Sequence, residues 1–552
     1  MGHSRAGTGD AQTSPGDCDE PVGVGSGSAG LLWLVAVAGA GTMVVELAAV
    51  RLLAPWFGSS QAVWTNVIGV VLFALALGYF LGSKLAARPQ PLAALGWVLA
   101  FGAASTAWLP ALAAPVADLF MPAGVTLDRA AELFVWGSLA SAALLFAPAA
   151  VALGCVGPLA VEIVARRSGG HAGSAGGKVL CASTLGSLAG TFGTTHFALP
   201  GLGLKGTFLL AGVCLGVLSL ISFVFQRRAT WPGIGALVCV VLSFAAATRT
   251  PSPTGTLLAE VQSAYQTVRV VETGAGAERM RQLQVNEGLD SFQSVWQPES
   301  GLLPVGYYYN YFCLPPWWSG AQGTWRVMVL GLGAGTSWRV LEGSLPAGVR
   351  LVATGAEIDP AVIDLAREFL ELAPQSPERQ TLAGWDARAA LRAMQGQFDE
   401  IILDTYANQM EMPAHLCSVE FFREVRGRLA PGGWLAINIG GFSLNDPVVQ
   451  AVAATAATAF QSAALCVRVP FSRNVVAYLK ANGTPFVPGD SGWSLAEGPV
   501  AKLLPPVEIS SRWALIHPAT PAPLSDDRNP IERLQAQSIL LAAQACAERE
   551  ER

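Results

Sequence analysis

Apolar residues run almost uninterrupted through the first 250 positions and alternate with polar ones thereafter. The uninterrupted runs are Leu31–Leu53, Ala62–Leu85, Leu92–Leu119, Leu133–Val164, Val179–Leu199, Gly206–Phe225 and a shorter Pro232–Ala247. A helix of about 18 or more apolar residues can cross the hydrocarbon core. The pattern therefore predicts a multi-span α-helical membrane domain over 30–248 with about seven apolar spans. Glycine and alanine are frequent inside these runs, as expected where helices approach closely in lipid. From 257 the periods shorten: Thr267–Val271 and Arg281–Val285 read as strands separated by Gly274 and Gly276, predicting a small antiparallel β-hairpin region over 257–312. The aromatic cluster Tyr307–Phe312 is expected on a helix. Val327–Leu330 then reads as a strand buried on both faces, and the alternation of strand and helix after it predicts a doubly wound α/β domain over 313–540. Residues 1–29, rich in Gly, Ser and Asp, are expected to be disordered and lack the basic start of a signal peptide.

Composition sharpens this division. With 52% hydrophobic and 13% charged residues, the chain is too apolar for an ordinary soluble protein. A net charge of −5 offers no basic field, so no nucleic acid is expected as a partner. The nine cysteines form no C-x-x-C pair, which argues against both a disulfide framework and a metal site. Basic residues collect at Lys84 and Arg88, at Arg166, Arg167 and Lys178, and at Arg227 and Arg228. The positive-inside rule puts those loops, and the N-terminus, in the cytoplasm. If all seven runs cross, the soluble half then lies outside. The need for a nucleotide-derived cofactor argues the opposite, and the expectation adopted is a cell (inner) membrane protein with a cytoplasmic catalytic domain.

Glu46 and Arg51 sit in or at the end of the first span. Five residues apart on a helix, they are about 140° out of register and do not pair along one face. A charged residue at membrane depth is a functional candidate; the alternative is that both snorkel or pair with a neighbouring helix. His196, in the fifth span, is expected to be structural.

The chemistry concentrates in the soluble half. Val327-Met-Val-Leu-Gly-Leu-Gly-Ala-Gly-Thr336 reads as a strand and a glycine turn opening a helix. Gly331, Gly333 and Gly335 let the backbone approach a ligand closely, and Thr336 stands where a dinucleotide fingerprint would have its third glycine. This compact form favours a nucleoside-sulfonium cofactor on a Rossmann-like, methyltransferase-type fold. Glu357 closes the next strand, where a carboxylate can bind both ribose hydroxyls. Asp386 falls at the end of the third strand, by the adenine edge, and Asp404 closes Asp399-Glu-Ile-Ile-Leu-Asp404 at the carboxyl edge of the sheet. Each acid could instead cap a helix, and Asp359, before Pro360, is expected to do so.

These residues resemble the polyamine aminopropyltransferases (spermidine synthases), in their membrane-fused bacterial branch. Besides the glycine turn, Glu357-Ile-Asp359, Gly384–Asp386 and Leu403-Asp404, the resemblance is carried by Val44-Val-Glu46-Leu-Ala-Ala-Val-Arg51, Ser263-Ala-Tyr-Gln266, Leu429–Trp434 and Leu524-Ser-Asp-Asp-Arg-Asn-Pro530. It implies a transferase that moves aminopropyl from decarboxylated S-adenosylmethionine, a co-substrate and not a prosthetic group, to a small-molecule amine such as putrescine. It further implies Asp404 as general base and cation anchor, Gln266, Gly331, Gly333, Gly335, Glu357 and Asp386 around the adenosine, Tyr307 and Tyr311 on the acceptor side, a lipid bilayer as partner and a possible homodimer. The sequence departs from the family at Ala334 and Ala407, where aspartates would face cations, and at Asn286-Glu287-Gly288; Glu287, Asp290 or Glu411 are the available substitutes. Ala334 also fits a methyltransferase that uses intact S-adenosylmethionine. A non-catalytic nucleoside sensor on a transporter-like membrane module is the third reading.

Overall fold

A computed structural model describes residues 26–57, 61–121, 127–168, 172–226, 230–246, 255–263, 265–285, 293–299, 301–406, 411–505, 511–520 and 522–550. The expectations for most of 1–29, for Arg227 and Arg228, for Asn286–Gly288 and Asp290, and for Ala407 lie outside the described residues.

The apolar runs form α1 (Ser26–Phe57), α2 (Gln61–Ala86), α3 (Pro91–Phe120), α4 (Leu127–Ser168), α5 (Ala172–Gly193), a π-helical turn (Thr194–Ala198), α6 (Leu199–Phe225) and α7 (Trp231–Ala245). Among the described residues, five continuous stretches are long and apolar enough to cross a membrane: Ala29–Phe57, Val63–Ala86, Pro91–Phe120, Trp136–Arg167 and Gly173–Phe225. The last of these stretches holds two of the predicted runs, Val179–Leu199 and Gly206–Phe225, and between them Gly203, with φ of 67° and ψ of −178°, breaks the helix. On either side of the break the helices run in opposite directions: α5 lies parallel to α1, with Gly186 on Ala36 and Gly190 on Ala40, and α6 antiparallel to α3, with Gly96 on Phe223 and Gly212 on Ala103 and Ala107.

Helix α7 has 15 residues and is about 22 Å long at 1.5 Å per residue. It runs antiparallel to α6: Gly233 packs on Leu220, Gly216 on Leu237, and Lys205 Nζ donates to the Ala246 carbonyl at 3.2 Å. Near the opposite end of the bundle, Arg166 donates to the Ala86 carbonyl at 3.3 Å, which brings the basic ends of α2 and α4 together. The soluble half meets the other end, where Arg51 Nη1, at the end of α1, donates to the Ser263 carbonyl at 3.1 Å. Basic loops and soluble half therefore lie at opposite ends of the bundle. In membrane vesicles, single cysteines introduced at exposed Ser83 and half-exposed Glu378, in a variant whose native cysteines are replaced, are expected to react with an impermeant maleimide from opposite sides. Labelling of both from one side would show that the bundle does not separate them.

The soluble half begins with a four-stranded antiparallel sheet, β1 (Thr256–Gln262), β2 (Thr267–Thr273), β3 (Met280–Val285) and β4 (Ser294–Trp296), in sequence order. The eight-stranded sheet that follows comprises β5 (Thr324–Leu330), β6 (Arg350–Glu357), β7 (Arg379–Ala383), β8 (Phe398–Leu403), β9 (Leu429–Gly440), β10 (Ala464–Arg468), β11 (Asn474–Lys480) and β12 (Trp513–Ile516). Its order is β12-β10-β11-β9-β8-β5-β6-β7. The five strands from β9 to β7 are parallel and the other three pair antiparallel, so the sheet is mixed. From β5 the chain goes first to β6 on one side and later to β8 on the other, which opens a crevice at the carboxyl ends of β5 and β8. Ligands bind in such crevices. The C-terminal helix Ile531–Glu550 packs on both α4 and helix Pro447–Phe460, tying the two halves together a second time.

Candidate active site

The glycine turn folds as its spacing demands. Gly331, Gly333 and Gly335 all have positive φ, at 88°, 54° and 79°. A side chain at Gly331 would run into the Asp404 carbonyl, since Asp404 N donates to the Leu330 carbonyl at 2.9 Å and the ends of β5 and β8 touch there. The turn is held from two directions. Glu357 Oε2 accepts from Gly333 N at 2.9 Å, and Ser294 Oγ, from β4, accepts from Ala334 N at 2.8 Å. Thr336 fastens the same strand, accepting from Val295 N and donating to the Val295 carbonyl, both at 2.9 Å. The small sheet is thereby clamped over the turn.

Glu357 also accepts from Asp359 N, at 3.1 Å through Oε1. Burial raises its pKa, with the neighbouring Asp359 charge acting in the same direction and the backbone N–H groups opposing. Asp359 caps helix Pro360–Phe369 as expected, with Oδ1 accepting from Ala361 N at 3.1 Å. Its Oδ2 accepts from Ser263 Oγ at 2.7 Å, and the Arg51 charge acts on it as well. Gln266 is placed by the same turn, its carbonyl accepting from Ser263 N at 2.9 Å.

Asp404 lies half-buried at the crevice. Burial pushes its pKa up to about 7, with the Glu357 charge adding to the rise and hydrogen bonds from Asn438 and Tyr308 opposing it. Asn438 Nδ2 donates to Asp404 Oδ1 at 2.8 Å; Asn438 in turn accepts from Asn474 Nδ2 at 2.8 Å, and Asn474 Oδ1 from Ser472 Oγ at 2.6 Å. This chain fixes the carboxylate from β9 and β11 behind it. Tyr406 closes the other side, its hydroxyl donating to the Asn438 carbonyl at 2.9 Å and accepting from Gly440 N at 2.7 Å.

The tyrosine cluster forms the 3₁₀ helix Tyr308–Cys313, and the rings whose hydroxyls feel Asp404 are Tyr308 and Tyr309. Tyr307 instead donates to Met280 Sδ at 3.4 Å, while Tyr311 is buried and interacts with Arg512. A 3₁₀ helix has three residues per turn and presents neighbouring faces that a sequence cluster alone does not distinguish. Asp386 is the N-cap of helix Ala387–Ala393, with Oδ1 accepting from Arg388 N and Ala389 N, both at 3.0 Å. Its Oδ2 lies 2.9 Å from His415 Nε2. Burial opposes ionisation there, but His415 and the capping N–H groups win and hold the Asp386 pKa below the usual carboxylate range.

Asn438, Ser294, Tyr308 and Tyr309 were not singled out from the sequence. Asn438 carried a signal, as the one amide within the apolar run Trp434–Ile439. The C-terminal motif Leu524–Pro530 acts structurally: Arg388 holds Asp526 through two hydrogen bonds of 2.8 and 2.9 Å, and Asn529 Nδ2 donates to the Ala414 carbonyl at 2.7 Å. Ala334 is buried in the core at 2% exposure, so the turn carries no side-chain charge there.

Residues 349–487 match the Spermine/spermidine synthase domain family. The chain is 32% identical over 166 residues to a probable polyamine aminopropyl transferase of Bifidobacterium longum, a match covering 29% of this chain and 34% of that one. It is 28% identical over 455 residues to polyamine aminopropyltransferase 1 of Streptomyces coelicolor, covering 78% and 79% respectively. Among solved structures, a probable spermidine synthase from Corynebacterium glutamicum aligns with a TM-score of 0.38 at 18% identity, over 48% of this chain and 91% of that one. The spermidine synthase of Thermotoga maritima aligns with a TM-score of 0.32 at 15% identity, over 51% and 84%. The domain match runs from β6 through β11, the stretch that holds Glu357, Asp404 and Asn438, so this part of the chain is similar to the spermine/spermidine synthase domain, with apolar helices ahead of it.

Proposed function

We propose that the chain is a membrane-bound aminopropyltransferase that moves an aminopropyl group from decarboxylated S-adenosylmethionine to an amine such as putrescine. The observation that carries this reading is Asp404, fixed by Asn438 at the β5–β8 crevice with a pKa pushed up to about 7. The names of the relatives support it. In the reaction the neutral amine nitrogen attacks the methylene carbon bonded to the sulfonium. The C–N bond forms, the C–S bond breaks with its electron pair going to sulfur, and a neutral thioether leaves. The protein must align the two partners and take the proton released from nitrogen. Asp404 holds the incoming ammonium and takes one proton from it, which leaves the neutral nitrogen that attacks. Glu357 and the backbone of the glycine turn bind the ribose side and Gln266 contacts the nucleoside, while Asp386, engaged by Arg388 N, Ala389 N and His415, orders the end of β7 beside it. Tyr308 and Tyr309, whose hydroxyls feel the Asp404 charge, line the acceptor approach.

A base must be unprotonated to act, so turnover is expected to rise with pH through about 7 and to fall below it. The test is the full-length protein in detergent, given decarboxylated S-adenosylmethionine and putrescine, with products weighed by mass spectrometry across pH 5.5–9. Aminopropylated amine with that profile supports the assignment. Ala334, apolar and buried in the glycine turn, specifically favours a second reading, methyl transfer from intact S-adenosylmethionine. A methylated product formed only with the carboxylated donor would establish that reading instead.

On location, the positive-inside rule and the opposite placement of basic loops and synthase half favour a synthase domain outside the cytoplasm. The source of a nucleotide-derived donor favours the cytoplasm. The vesicle-labelling experiment above, run with oriented membranes, decides between them.

A further inference from the structure

Helices α1 and α5 pack backbone to backbone. Gly186 touches the Ala36 carbonyl, a methyl on Gly190 would sit 2.6 Å from Ala40 Cα, and Ser187 Oγ donates to the Gly39 carbonyl at 3.3 Å. Because position numbers rise together on both helices, α1 and α5 run parallel, 150 positions apart at Gly186 and Gly190 and 148 apart at Ser187. Carried on along the same faces, these offsets bring Thr194 level with the turn Val44–Glu46, and the Glu46 side chain leans back toward the start of its helix, over that turn.

Both of those side chains are left without partners. Thr194 is 2% exposed, and its Oγ1 has no hydrogen-bond partner among the described residues. Glu46 is half-buried and has no hydrogen bond or ion pair among them. Nearby hydroxyls satisfy themselves along their own helices: Thr191 Oγ1 donates to the Ser187 carbonyl at 2.9 Å and Thr42 Oγ1 to the Ala38 carbonyl at 3.1 Å. At Thr194 the helix opens into a π-helical turn, with Leu199 N bonding the Thr194 carbonyl. Single π turns inside helices are often found at functional sites.

We propose that Glu46 and Thr194 form a binding site for a primary ammonium group inside the membrane half. Two carboxylate oxygens and one hydroxyl oxygen offer three acceptors, which matches the three N–H donors of an alkylammonium. Hard metal ions take about six or more oxygens, more than this pair supplies. An ionisable residue at membrane depth marks a substrate or ion path by default. The site also lies close to the synthase half. Glu46 is five residues, about 7.5 Å along the helix, from Arg51, whose guanidinium reaches Ser263. The choice of an alkyl amine as ligand rests on the aminopropyl-transfer reading, whose substrates and products are such cations.

The experiment measures equilibrium binding of radiolabelled putrescine to the full-length protein in detergent, without donor, for the wild type, Glu46→Gln, Glu46→Asp and Thr194→Val. Transfer is assayed in parallel. Glu46→Gln is expected to remove one binding event, Thr194→Val to weaken the same event about fivefold to tenfold, and Glu46→Asp, which keeps the charge, to retain it. An isotherm for Glu46→Gln superimposable on the wild type overturns the proposal, as does equal loss in the Gln and Asp variants. Glu46-dependent binding without transfer sinks the functional reading and leaves this site standing. Transfer without Glu46-dependent binding does the reverse.

Discussion

Asp404→Asn is expected to lower turnover by about a hundredfold to ten-thousandfold, the usual contribution of a positioned general base, while nucleoside binding survives. An amide cannot accept the proton from the amine, yet its oxygen can still accept from Asn438 Nδ2, now 2.8 Å from Oδ1. The carboxylate is not a stabilising feature of the fold. Its folded-state pKa of about 7 lies above the value of about 3.9 for a free aspartate, so the unfolded chain binds fewer protons between those values and stability falls as pH rises through that window. The neutral isostere escapes that cost. The variant should therefore melt no lower than the wild type at pH 8 while being nearly inactive. Product formation by mass spectrometry, methylthioadenosine affinity by calorimetry and a thermal melt together check this. Undiminished turnover would sink the assignment of Asp404.

Gly331→Ala is expected to abolish donor binding and to destabilise the synthase half by about 2–5 kcal/mol. Two costs add. A left-handed backbone costs a residue with a side chain about 1–2 kcal/mol, and φ at Gly331 is 88°. The new methyl also overlaps the Asp404 carbonyl, a backbone atom that moves only by separating β5 from β8, and such overpacking costs about 1–3 kcal/mol. Gly348→Ala isolates the first cost, because φ is 80° there but nothing lies within 4 Å. Thermal melts of the two variants, with methylthioadenosine titrations, make the comparison. Equal losses of stability would show that the contact between the strand ends is unimportant.

How far these features were legible in the sequence depends on how local their causes are. The glycine turn, Glu357 and Asp404 stand at strand ends whose spacing follows from chain geometry, so the pattern revealed them. The small antiparallel sheet was visible for the same reason. Asp386 shows the limit: an acid at a strand end can face a ligand or cap the next helix, and the outcome depends on helix Ala387–Ala393 and on His415, which only the fold brings near. The tyrosines show another. Which of the clustered rings come near Asp404, Tyr308 and Tyr309 and not Tyr307 and Tyr311, follows from the three-residue period of a short 3₁₀ helix and from what packs against it. Asn438 acquires its purpose from β8, a strand that lies more than thirty residues earlier and pairs with its own. In the apolar half, the gap between the runs Val179–Leu199 and Gly206–Phe225 marked the break at Gly203, though not the left-handed backbone that makes it.

The bond from Arg51 to Ser263 makes the protein mechanically single. Arg51 holds the Ser263 carbonyl, Ser263 holds Asp359, Asp359 N holds Glu357, and Glu357 holds Gly333. A nucleoside that orders the last link favours the arrangement of every link before it, including the end of the first membrane helix. Such coupling is reciprocal. On the aminopropyl-transfer reading, a shift of α1 that alters the Arg51–Ser263 bond is expected to change donor affinity, and donor binding to bias α1 by the same free energy. A bilayer around the helices would then act on the nucleoside site through α1.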